Sequence, residues 1–96
     1  MQIKVRFFTS LREIVGKREE TMVMAENNVT VDLVLKTLSE KYGAPFVEYV
    51  YDTKTGQPRR FLQFLVNGTS ISTLNGFETE LKESDVLAIL PPVGGG

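Results

Sequence analysis

The sequence predicts an α+β domain: two strands, one main helix, then two or more further strands. Three observations carry that prediction. Ile3, Val5 and Phe7 alternate with Lys4, Arg6 and Phe8, which is the period of a half-buried strand. Val31, Val34, Leu35, Leu38 and Tyr42 recur at i, i+3, i+4, i+7 and i+11, forming one apolar stripe along a helix. Val86-Leu87-Ala88-Ile89-Leu90 is an unbroken apolar run, which places the last strand in the interior of the sheet. For 96 residues one domain is the natural count. We place its body at residues 1–90 and a flexible glycine tail at 91–96.

The remaining elements follow in order. Leu11, Ile14 and Val15 have helical spacing and Gly16 is a stop, so one or two helical turns follow the first strand. A second strand fits residues 20–25, with Met22 and Met24 on one face and Val23 on the other. Its closeness in sequence predicts an antiparallel pair with the first. Thr30 caps the main helix, Asp32 sits in its first turn and Gly43 ends it. After Pro45, the run Phe46 to Tyr51 fits a strand or a short helix, and periodicity does not decide. Residues 52–58 are a turn-rich loop, and Arg59-Arg60 reads as a solvated pair. A third strand spans residues 61–66 and ends at the turn Asn67-Gly68. Ile71 and Leu74 suggest a short edge strand, and Phe77 and Leu81 anchor the long connection to the last strand.

Composition excludes several functions. Eleven basic and twelve acidic residues give a net charge of −1, without the basic footprint that nucleic acid requires. Cysteine and histidine are both absent. That removes disulfides, thiolate metal sites, the commonest general base and the commonest metal ligand. The N-terminus begins in strand-like alternation without the apolar core of a signal peptide, and no run is long enough to span a bilayer. The expected location is the cytoplasm, with no membrane partner.

The chain ends in Pro91-Pro92-Val93-Gly94-Gly95-Gly96. Glycine makes up about 7% of ordinary proteins, so three in succession stand out. Without Cβ, such an arm can pass through a slot too narrow for other residues. The prolines stop the preceding strand. The group this points to is the carboxylate of Gly96. The same glycines also fit a frayed terminus.

Several segments together resemble the β-grasp sulfur carriers, which share the ubiquitin-like fold, and are most similar to the small subunits of molybdopterin synthase. They are Ile3-Lys4-Val5-Arg6-Phe7-Phe8, Leu11-Arg12-Glu13-Ile14-Val15-Gly16, Thr30-Val31, Val66-Asn67-Gly68, Leu81-Lys82-Glu83-Ser84-Asp85-Val86 and the tail. The resemblance spans nearly the whole chain. It departs at residues 44–60, which are longer than in the shortest members, and at Ser84, where glycine is common. Archaeal ubiquitin-like modifiers are similar too. The thiamine-pathway carrier, shorter and without the middle insertion, fits less well.

The resemblance implies a mixed sheet packed on one main helix. It also implies that a ubiquitin-activating-type enzyme, using ATP and magnesium, adenylates Gly96. A sulfur donor protein then converts it to a thiocarboxylate, and Gly95 lets the arm enter the active site. The large subunit of molybdopterin synthase receives the sulfur. The chain itself binds no cofactor and is not an enzyme alone. A modifier would instead join Gly96 to a lysine. Strand parity adds a docking surface. With Phe7, Phe64 and Ile89 inward, Phe8, Leu65 and Leu90, together with Ile71, are expected to form an apolar patch on the open face. Pro91, Pro92, Val93 and Gly94 are expected to join it in contacting the partner.

Overall fold

A computed structural model describes residues 1–25 and 27–91 of the chain. It contains β1 (Gln2–Phe7), α1 (Thr9–Val15), β2 (Glu19–Val23), α2 (Val31–Tyr42), α3 (Ala44–Val50), β3 (Gln63–Val66), β4 (Thr69–Ser70) and β5 (Val86–Leu90). Two 3-10 turns, Ile71–Thr73 and Gly76–Glu78, lie between β4 and β5. The sheet order is β2-β1-β5-β3-β4. β1 and β5 run parallel, and the other neighbours are antiparallel. The sheet is therefore mixed, and β5 lies at its centre as its unbroken apolar run predicted.

Alternation in each strand sends one set of side chains inward. Ile3, Val5 and Phe7 of β1, Leu87 and Ile89 of β5, and Phe64 and Val66 of β3 are all buried. They share one core with Val31, Val34, Leu35 and Leu38, the stripe of α2. Thr30 caps α2 by accepting the Leu33 N–H at 3.1 Å, and Gly43 ends it at φ 74°. Met22 and Met24 are buried while Val23 is 74% exposed, so the parity of the second strand holds. The strand is shorter than expected, although the Met24 N–H still bonds the Met1 carbonyl at 2.8 Å.

One open choice is decided and two local readings differ. Residues 44–50 form a helix, the second of the two forms left open for the run after Pro45. Pro45 lies in its first turn, where a fixed φ and a missing N–H suit a helix, and Phe46 and Val50, four apart, are both fully buried. The third strand starts at Gln63, because Leu62 N–H closes a turn on the Arg59 carbonyl at 3.2 Å. The edge strand is Thr69–Ser70 rather than a segment about Ile71 and Leu74. The Ser70 side chain accepts the Ser72 N–H and starts a 3-10 turn that carries Ile71 out of the sheet.

Ser84, the departure noted in the sequence, has φ 71°. An L side chain in that region costs about 1–2 kcal/mol, which explains why glycine is favoured there. Ser84→Gly is expected to raise stability by that amount less glycine's entropy of about 0.5–1 kcal/mol. A urea melt checks it, and a lower midpoint would contradict it.

One charged cluster pins β2 to the end of α2. Glu20 is 9% exposed. It accepts hydrogen bonds from the Lys41 ammonium and the Tyr42 hydroxyl, and Lys17 Nζ stands 3.6 Å away. Burial pushes the Glu20 carboxyl up, but the two hydrogen bonds and the charges of Lys41 and Lys17 outweigh it, leaving it below its ordinary 4.5. Burial and the Glu20 charge push the Tyr42 hydroxyl up to about 12. A depressed carboxyl stabilises the fold above its unfolded value and loses that contribution as pH falls through the folded one. Tyr42 works in the opposite sense. Its contribution is full below pH 10 and is lost as pH rises toward 12. Glu20→Gln is expected to destabilise by about 1–2 kcal/mol at pH 7, with the deficit shrinking below pH 4.5. Thermal melts across pH 3–8 measure this, and a pH-independent deficit would show that the pairing is not the cause.

Candidate functional site

The face of the sheet away from the helices is built from the outward residues of the same strands. β1 contributes Gln2, Lys4 and Arg6, β5 contributes Val86, Ala88 and Leu90, and β3 contributes Gln63 and Leu65. Register aligns one row across all five strands: Glu19, Arg6, Ala88, Leu65 and Ser70. The row divides the face. On the β2–β1 side, Glu19 takes Lys4 Nζ at 3.4 Å and Arg6 Nε at 3.9 Å. On the β5–β3 side, apolar side chains stand half-exposed.

Leu90 is the centre of that apolar half. It lies opposite Gln63, and Leu65 is its diagonal neighbour on the same face. Phe7 lies opposite Ile89, which brings Phe8 level with Leu90. Phe8 keeps extended backbone, at φ −129° and ψ 147°, as the residue that opens α1. Phe8, Leu65, Leu90 and Pro91 are all of intermediate burial. Phe8, Leu65 and Leu90 thus lie half-buried on the β5–β3 side of the open face.

Ile71 is the correction. It is only 6% exposed and belongs to the core, because the 3-10 turn begun at Ser70 directs it inward. Pro92, Val93, Gly94, Gly95 and Gly96 lie outside the described residues. Pro91, the last described residue, continues directly from Leu90.

One neighbour was not singled out from the sequence. The Arg12 guanidinium stands 6.0 Å from the Phe8 ring centroid, within cation–π range. Its Nε is buried without a hydrogen-bond partner among the described residues. The signal was the spacing, since Phe8 and Arg12 lie four apart at the start of a helix. The face thus carries a cation beside apolar side chains. Among the described residues no helix is long and apolar enough to cross a membrane.

A family model described as the ThiS family matches residues 5–96. The chain belongs to this family of β-grasp sulfur carriers. Small archaeal modifier protein 3 of Haloferax volcanii is 30% identical over the full length of both chains. The molybdopterin synthase sulfur carrier subunit of Chlamydomonas reinhardtii is 29% identical over the full length of both. Among solved structures, small archaeal modifier protein 1 of Methanosarcina acetivorans superposes with a TM-score of 0.81. It is 35% identical, with 99% of this chain and 96% of that one covered. The fold is the ubiquitin-like β-grasp.

The burial difference makes a test. Ile71→Ala is expected to cost about 2–4 kcal/mol, the range for a buried large-to-small change. Leu65→Ala and Leu90→Ala, half-exposed, are expected to cost about 1 kcal/mol or less each. Equal losses in chemical denaturation would mean that Leu65 and Leu90 belong to the core.

Proposed function

We propose that this chain is a sulfur carrier acting as the small subunit of molybdopterin synthase. The observation that carries the reading is the half-exposed Phe8–Leu65–Leu90 cluster, placed where β5 passes into Pro91 and the glycine tail. A free carboxylate is a poor acyl donor. A ubiquitin-activating-type enzyme joins the Gly96 carboxylate to the α-phosphate of magnesium-bound ATP, releasing pyrophosphate. A persulfide sulfur from a donor protein attacks the carbonyl and AMP leaves. A thiol then splits the resulting disulfide, leaving the thiocarboxylate. The large subunit passes that sulfur to the pterin precursor, and the carboxylate returns. Bases and metal ions come from the partners. Gly95 and Gly94 thread the slot, while the patch, with Pro91, Pro92 and Val93, contacts the partner. All of this takes place in the cytoplasm.

A second reading is favoured by the two relatives named small archaeal modifier proteins. In it the same adenylate reacts with a lysine amine and forms an isopeptide bond.

The deciding measurement is the intact mass of the untagged protein after incubation with the adenylating enzyme, ATP and sulfide. A gain equal to replacing one oxygen by sulfur, on the C-terminal peptide, is expected. Conjugates in extract that vanish on deletion of Gly96, without that gain, would favour the modifier. A residue added after Gly96 is expected to abolish the gain and leave stability unchanged. Phe8→Ala or Leu90→Ala is expected to weaken the adenylating enzyme's affinity roughly tenfold, about 1.4 kcal/mol, with the fold intact. Unchanged affinity in both variants would remove the patch from the docking surface.

A further inference from the structure

β4 stops early, and part of β3 is left without a strand partner on that side. The Ser70 hydroxyl accepts the Ser72 N–H at 3.3 Å, and the Ser70 carbonyl accepts Thr73 Oγ1 at 2.8 Å. These bonds turn the chain out of the sheet, so the β3–β4 ladder ends at Leu65–Ser70. On the other side of β3, the Asn67 N–H donates to the Val86 carbonyl at 2.8 Å. Bonds in an antiparallel ladder recur at alternate residues. Gln63 and Leu65 therefore turn their backbone groups to β5, while the N–H and carbonyl of Phe64 face the edge that β4 vacates.

A groove of about 570 Å³ runs along that edge. Leu62, Phe64 and Ile71 floor it. Phe77 walls it, packed edge-to-face on Phe64 at 5.1 Å between centroids. Arg60 stands on the rim. Arg59 is held in place, its Nη2 donating to the Glu48 carbonyl at 3.0 Å. Arg60 is exposed and has no ion pair among the described residues.

We propose that this groove takes an extended acidic segment of a partner protein, added as a strand beside β3. An edge donor and acceptor on one residue select an extended backbone. Alternate side chains of such a segment drop onto the apolar floor, as in other strand additions. The Arg60 guanidinium selects a carboxylate on the outer side. The site lies on the sheet's edge, apart from the Phe8–Leu65–Leu90 patch, so it stands independently of sulfur transfer.

The test is an amide NMR titration of the full chain with a capped six-residue peptide alternating glutamate and valine. The same peptide with lysine for glutamate is the comparison. The expected result is shifts centred on Leu62, Phe64 and Ile71, with the acidic peptide binding roughly tenfold tighter. Arg60→Glu, a surface change, is expected to reverse that order. No shift at millimolar peptide, equal affinity for the two peptides, or shifts centred on Phe8, Leu65 and Leu90 would each overturn the proposal.

Discussion

The parallel pairing of β1 with β5 is the constraint on which the rest depends. It joins the first strand to the last, with Lys4 opposite Val86 and Phe7 opposite Ile89. Both strands are then interior, and both send alternate residues onto the stripe of α2. A one-residue slip would turn Leu87 and Ile89 to water and bury Arg6 or Lys4, so the register is strongly fixed. That register brings Phe8 level with Leu90. The apolar half of the open face is therefore a by-product of the pairing that builds the core.

Period made much of this legible. The stripe of α2 from Val31 to Leu38 and the alternation of β1 state their burial directly, and the unbroken run of β5 states its central place, although its Val86, Ala88 and Leu90 are only half-buried. Parity also gave the open face, because Phe8, Leu65 and Leu90 each follow a core residue. Ile71 was misplaced for a different reason. Its environment is decided by the Ser70 side chain bonding locally to the backbone, a choice that alternation does not register. Likewise Phe46 to Tyr51 has no period of its own. Pro45 in the first turn and the need to bury Phe46 and Val50 together select a helix. The Glu20 cluster was unreadable because its hydrogen-bonding partners, Lys41 and Tyr42, come from the distant end of α2.

The two halves of the open face suit different parts of recognition. The Lys4–Glu19–Arg6 side is exposed and its ion pairs are long, so it contributes little energy and more to orientation. On the docking reading proposed above, desolvating the Leu65 and Leu90 side would supply most of the gain in binding, as apolar centres do in other interfaces. Phe8 belongs with them, and the Arg12 guanidinium stands 6.0 Å from its ring centroid. Docking energy would thus be concentrated at the end of β5, beside Pro91.

Half-exposed apolar residues on interior strands carry a risk that edge design offsets. An exposed edge beside an apolar face invites strand pairing with other copies. Here β2 at one edge carries Glu19 and is flanked by Lys17 and Arg18, and β4 at the other is only two residues long. The shortness of β4 has a cost: it leaves the backbone of Phe64 without a strand partner on that side. A cation at Arg60 beside that gap repels basic segments. The same charge leaves an acidic strand as the segment the gap would admit. Selectivity for a partner at that edge would thus rest on one side chain.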